Sequence, residues 1–208
     1  MISRLPKGAR KGIVLAHGRG GTAQDILSLM DHAALPEVAA VAPEAPDNSW
    51  WPTSFLAPTY QMEPFVQPAI AAMEEGIDRL LQAGIARDQI WIGGFSQGAG
   101  LALETYARKG DGLAGVFAFS GALIGTADAD GVNDMGYPEK SFQYAGKRTG
   151  RAWLSCHQRD PHIPLRRVED SAAVLRALGT EVDLEIFPGA GHGVMRQDIS
   201  ALRRALNG

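Results

Sequence analysis

Short apolar runs alternate along this chain with longer stretches of helical periodicity. Gly12 to Ala16, Val38 to Ala42, Gln89 to Gly93, Gly115 to Phe119, Ala152 to Cys156 and Val182 to Phe187 are short and rich in apolar or β-branched residues, which predicts six strands. Between them, helices are predicted at about Thr22 to Ala33, Glu63 to Ala83, Gln97 to Arg108, Pro164 to Leu178 and Arg196 to Leu206. In the second helix Ile70, Met73, Ile77, Leu80 and Leu81 recur at spacings of three and four, a stripe suited to lying on a sheet, and Ile199, Leu202 and Leu206 repeat the pattern weakly in the last. Such alternation predicts an α/β fold, a mainly parallel sheet with helices on both faces.

Two stretches escape that pattern. Pro43 to Pro68 carries six prolines together with Trp50, Trp51, Phe55, Tyr60 and Phe65. Its proline density argues against a central strand or a long helix, yet its aromatics have too much apolar area to leave in water. Gly121 to Gly150 is rich in Gly, Asp, Lys and Arg and reads as a long unstructured connection, a functional loop or disorder. No repeat and no Gly/Ser or Pro linker divides the chain, so residues 1–208 are expected to form one domain.

Composition narrows the class. With 45% hydrophobic and 21% charged residues the chain has the balance of a globular domain, and its length allows roughly 70% of the unfolded surface to be buried without staples. Cys156 is the only cysteine, so no internal disulfide is available and a reducing, cytoplasmic setting is expected. The apolar run Ile13 to Ala16 is too short for a signal-peptide core, and the uncharged stretch Gly112 to Ala127, with four glycines, is too short for a membrane span. A net charge of −3 argues against a nucleic-acid partner. Exposed apolar surface leaves room for a homodimer, on which the sequence is silent.

The sharpest chemical signal is Gly94-Phe95-Ser96-Gln97-Gly98, directly after Ile90-Trp91-Ile92 and directly before a helical pattern. A Gly-x-Ser-x-Gly strand-to-helix turn is tight, so glycines stand where side chains would collide, and the serine hydroxyl is pushed clear. With ten serines and 25 glycines the pattern would arise by chance in roughly one such chain in seven, which makes its context decisive. The competing reading is a glycine-rich turn whose Ser96 caps the next helix.

A serine nucleophile needs a base and the base needs an orienting acid. Asp160, in Cys156-His157-Gln158-Arg159-Asp160-Pro161, and His192, in Gly189-Ala190-Gly191-His192-Gly193, each follow a predicted strand at its carboxyl end, where open α/β sheets gather ligands. The order Ser, Asp, His is the one expected with this turn. Acyl transfer also requires N–H donors for the developing oxyanion. The backbone amides of Gln97 and of Arg19, in the His17-Gly18-Arg19-Gly20-Gly21 loop, are the candidates. Trp50, Trp51 and Phe55, with residues of Gly121 to Gly150, are expected to wall an apolar substrate pocket. For the tryptophans the alternative is packing of their loop on the core.

Rival chemistries are weaker. Gly18-x-Gly20-x-x-Ala23 matches a dinucleotide fingerprint, but the ribose-binding acid is not clearly placed, Glu44 lying in a proline run. His157, Asp160 and His162 are neighbours on an extended loop and diverge, so they make a poor metal site. Asp128, Asp130, Asn133 and Asp134 lack the spacing and bidentate acid of a calcium loop. No metal and no cofactor is expected.

Taken together, the His17–Gly21 loop, Trp51-Pro52, the Ser-Gln-Gly elbow, Asp160-Pro161-His162-Ile163-Pro164 and Gly191-His192 resemble the α/β-hydrolase superfamily. Within it they resemble the small phospholipase/carboxylesterase family that includes the acyl-protein thioesterases, over nearly the whole chain. The resemblance implies a serine hydrolase acting on a small-molecule carboxylic ester, with Ser96, Asp160 and His192 as catalytic residues and the amides of Arg19 and Gln97 as oxyanion hole. It leaves open a thioesterase, or a silent ligand-binding member of the fold. The short amino terminus leaves little room for the leading antiparallel strands of larger superfamily members, so a trimmed sheet of about six strands is expected, in the order second, first, third, fourth, fifth, sixth. His157 stands where the family usually carries glycine, and Arg19 where the thioesterases are often apolar.

Overall fold

The computed structural model describes residues 1–207. Nine strands and five helices are found among them: β1 (Ile2–Arg4), β2 (Gly12–Ala16), α1 (Ala23–His32), β3 (Ala39–Ala42), α2 (Thr59–Gln82), β4 (Ile90–Phe95), α3 (Gln97–Lys109), β5 (Gly115–Phe119), β6 (Ala127–Val132), β7 (Pro138–Ser141), β8 (Arg151–Arg159), α4 (Leu165–Ala177), β9 (Glu181–Ala190) and α5 (Arg196–Asn207). Seven strands form one sheet in the order β1-β3-β2-β4-β5-β8-β9, parallel except for β1, which pairs antiparallel with β3 through Ile2 and Ala42.

All six predicted strands are present in the predicted order. The expectation of little room for a leading strand is corrected by β1, a three-residue edge too short to leave a period in the sequence. The sheet has a separate core on each face. Along β2, Ile13 and Leu15 pack with α1 and α5, whereas Val14 and Ala16 face α2, α3 and α4. A strand buried on both sides shows as an unbroken apolar run, which is why GIVLA carries no alternation. Helix α2 crosses this sheet closely at Gly76, where a Cβ would lie 2.7 Å from a Val14 methyl.

Two further expectations need correcting. Helix α2 begins at Thr59, inside the proline-rich stretch, and contains both Pro64 and Pro68. Each proline removes the N–H that would bond to the carbonyl four residues earlier, on Tyr60 and Pro64 respectively. Tyr60, Pro64 and Pro68 share one exposed stripe, so the released carbonyls meet water, while Met62, Val66 and Ile70 keep the opposite face buried. The Gly121–Gly150 stretch is not a plain loop either, since β6 and β7 form an antiparallel hairpin within it. All six residues of β6 are exposed, so no apolar pattern marks it. Its base is tied to the start of α2 by Asp128, which accepts from Thr59 N–H at 3.0 Å and pairs with Lys140.

Among the described residues no helix is long and apolar enough to cross a membrane. The carboxyl ends of β2, β4, β8 and β9 open on the same rim, bringing the Gly-rich loop, Ser96, Asp160 and His192 to one cleft.

Candidate active site

The turn from β4 into α3 is specified by sterics. A Cβ on Gly94 would fall 2.6 Å from the Ala16 carbonyl oxygen, and one on Gly98 would fall 2.5 Å from that of His17. Only glycine allows β4, α3 and the end of β2 to approach so closely. Between them Ser96 sits at φ 55°, ψ −117°, a left-handed conformation that costs about 1–3 kcal/mol for a residue with a side chain. Its hydroxyl makes no cap bond to α3, so the capping alternative does not hold. Ser96 Oγ instead lies 2.9 Å from His192 Nε2.

His192 Nδ1 lies 2.7 Å from Asp160 Oδ2. An ionised carboxylate only accepts, so this contact fixes the proton on Nδ1 and leaves Nε2 free to accept from the serine hydroxyl. The Asp160 carboxyl is fully buried and its oxygens are all engaged. Oδ1 accepts the N–H groups of His162 at 2.8 Å and Ile163 at 3.0 Å, and Oδ2 also faces the Cys156 thiol at 3.7 Å. Burial, reinforced by the Asp160 charge, pushes that thiol up to about 12, so it stays a neutral donor.

The loop carrying His192 is wedged from several sides. The Phe95 ring lies 4.9 Å from the imidazole and His162 meets it edge-on at 4.8 Å. Ser120 Oγ donates to the Gly193 carbonyl at 3.3 Å. His157 is buried beneath Gly191, where a Cβ would lie 2.7 Å from its Nε2, and its ring stacks near Phe187. The large residue in the usual glycine position is therefore accommodated by a glycine opposite.

The second wall is the loop after β2. His17 Nε2 accepts Ala45 N–H at 3.1 Å, Gly20 N–H donates to the Asn48 carbonyl at 2.7 Å, and the Asn48 side chain returns a bond to Gly21. Among the described residues the backbone N–H groups of Arg19 and Gln97 have no hydrogen-bond partner. The Gln97 side chain clamps the neighbouring loop, its Oε1 accepting Trp50 N–H at 2.9 Å and its Nε2 donating to the Trp51 carbonyl at 2.9 Å.

A cleft of about 530 Å³ opens over Ser96 and His192. Trp51, Phe55, Phe95, Ala122, Met135 and Ile163 supply apolar wall, and Arg19 and His162 supply polar wall. Trp51 and Phe55 line this cleft. Trp50 does not: it is buried behind the cleft, its indole N–H donating to the His17 carbonyl at 2.9 Å and its ring 5.2 Å from that of His17. It braces the Gly-rich loop, because an indole whose N–H finds a buried carbonyl is better satisfied inside than at the cleft. Met135 and Ala122 come from the Gly121–Gly150 stretch expected to contribute to the wall, whereas Phe95, His162 and Ile163 are cleft residues the sequence reading does not single out, although Phe95 fills the variable position of the elbow and His162 follows Asp160 by two.

The rival readings find no support in these contacts. Glu44 already accepts Ala23 N–H at 3.1 Å, occupying the start of α1 where a pyrophosphate would have to sit. His157 is turned under Gly191 while Asp160 is committed to His192, and Asp128 is committed to Lys140.

Comparison with known proteins shows the family and the fold. A family model described as phospholipase/carboxylesterase matches residues 2–207. Acyl-protein thioesterase 1 of Gibberella zeae is 26% identical over 130 residues, 62% of this chain and 52% of that protein. The Saccharomyces cerevisiae protein of the same name is 29% identical over 133 residues, 54% of this chain and 58% of its own. The chain thus spans about half the length of the curated relatives it matches. Among solved structures, a phospholipase/carboxylesterase from Dyadobacter fermentans superposes with a TM-score of 0.85 at 34% identity, covering 100% of this chain and 95% of that one. A Bacillus cereus carboxylesterase shares the fold at a TM-score of 0.76 and 17% identity, over 99% and 92% of the two chains.

Proposed function

The chain belongs to the phospholipase/carboxylesterase family, and from that premise we propose that it is a serine hydrolase of small to medium carboxylic esters, with residues 1–208 acting as one α/β-hydrolase unit. The observation that carries this reading is the continuous contact from Asp160 through His192 to Ser96, at 2.7 and 2.9 Å.

In this account Ser96 Oγ attacks the ester carbonyl carbon while its proton passes to His192 Nε2. Asp160 keeps the imidazole in the required tautomer and stabilises the imidazolium that forms. The carbonyl oxygen becomes negative within reach of the Arg19 and Gln97 amides, an interaction of the kind worth about 10²–10³ in rate per donor. Collapse breaks the bond to the alkoxide, which takes the proton back from His192 and leaves as alcohol. Water then repeats the sequence on the acyl-serine, delivering the acid and restoring Ser96. No cofactor or metal enters these steps.

Thioester cleavage is a second reading, favoured by the acyl-protein thioesterases among the curated relatives, because a thioester carbonyl presents the same electrophile to the same groups. Ser96→Ala tests the common core. Turnover of a short-chain aryl ester is expected to fall by about 10⁴ or more, with an unchanged circular-dichroism spectrum. A folded variant that retains its rate would remove Ser96 from the reaction.

A further inference from the structure

We infer that the Arg19 side chain selects esters carrying a carboxylate on the part of the substrate next to the scissile bond, an inference that rests on the serine-esterase reading of the cleft. Arg19 lines the cleft together with Ser96 and His192. Its guanidinium reaches across the opening to two neutral acceptors, the Pro52 carbonyl at 3.1 Å and the Thr53 carbonyl. Those bonds fix the fork in place without neutralising it. A guanidinium has five N–H donors, so three remain.

What surrounds that charge matters more than the charge itself. Among the described residues Arg19 has no ion-pair partner, and no carboxylate lines the cleft. The nearest acid of the site, Asp160, is fully buried and already accepts from His192, His162 and Ile163. In a chain whose formal charge is −3, the cleft therefore presents one permanent cation and no anion. Arg19 itself is exposed at the mouth of the cleft, so a substrate carboxylate that pairs with it does so in a salt-sensitive way, while the substrate's methylenes lie against the apolar walls.

A planar fork with free donors is matched by a carboxylate, which it bonds in two places. Arg19 also carries the amide assigned to the oxyanion, so the guanidinium is tethered one side chain away from the reacting carbonyl. The implied class is the half-ester of a short dicarboxylic acid, with its free carboxylate on Arg19 and its methylenes against Trp51, Phe55 and Ile163. A simple long-chain acyl ester makes no use of the free donors.

The test compares monoethyl adipate with ethyl adipamate, in which a neutral carboxamide replaces the carboxylate, by ethanol release at low and high salt. The wild-type enzyme is expected to prefer the anionic ester by about tenfold or more in kcat/KM, less so at high salt. Arg19→Leu is expected to abolish that ratio whatever it does to the neutral ester, and Arg19→Lys to restore part of it. A wild-type ratio near one, or an Arg19→Leu variant that slows both esters equally, would overturn the inference and leave Arg19 as a brace between loops. Fluorophosphonate labelling of the same preparations separates the two claims. A labelled enzyme that shows no preference, or turns over neither ester, contradicts only the role of Arg19. An unlabelled, inactive but folded enzyme contradicts the esterase reading and this inference with it.

Discussion

Asp160 and Asp198 are both aspartates buried beside the His192 loop, and they are held in opposite ways. Asp160 gives one oxygen to an imidazole and the other to two backbone amides. Asp198 accepts Met195 N–H at 2.7 Å and the Trp153 indole N–H at 2.8 Å, and no cation pairs with it among the described residues. Burial raises the Asp198 pKa above its ordinary value, and Glu185 adds to the shift, against the lowering by its hydrogen bonds. One carboxyl is poised to stabilise a charge that appears on its partner during a reaction. The other pins the chain that follows His192 onto the edge of α5. Burial of an acid is therefore no sign of catalysis; the titratable partner and the open cleft beyond it are.

Asparagine substitutions separate the two roles. Asp160→Asn is expected to lower kcat by about 10⁴, because an amide can donate to Nδ1 and stabilise the wrong imidazole tautomer, while far-ultraviolet circular dichroism stays unchanged. A loss of less than about tenfold would break the comparison. Asp198→Asn is expected to act on stability, and in a pH-dependent way. The folded protein holds the Asp198 proton more tightly than the unfolded chain, so wild-type stability from this group falls as pH rises from the ordinary 3.8 through the elevated folded value. The variant lacks that slope, so its deficit relative to wild type in urea unfolding should be smaller at pH 8 than at pH 5. A deficit that grows with pH would mean that Asp198 is held as a stabilised anion. Smallest of the three, Cys156→Ala removes a weak donor from Asp160 Oδ2 and is expected to change kcat/KM by a few-fold at most, with stability reduced by about 1 kcal/mol.

The same contrast explains what was legible in the sequence. The Gly94–Gly98 elbow shows in one dimension because its constraint is local: each glycine is demanded by a backbone within three ångströms. Asp160 and His192 follow because each ends an apolar strand, and strand ends converge by topology. Trp50 and Trp51 are adjacent and alike in composition, yet one braces His17 and the other lines the cleft. That difference depends on which way each ring turns, and no residue period encodes it. The six exposed residues of β6 and the proline-bearing start of α2 were hidden for a related reason. β6 pairs with β7 and exposes every side chain, so it leaves no apolar signature, while the apolar face of α2's start, Met62, Val66 and Ile70, is masked by the prolines between them.

The most direct test of the central claim is intact-mass labelling of the purified protein with a fluorophosphonate, followed by peptide mapping. One label per chain, on Ser96 and absent from Ser96→Ala, is the expected result, because only a serine activated by His192 beside an oxyanion hole reacts in this way. A folded protein that takes no label, or takes it on another residue, would contradict the account.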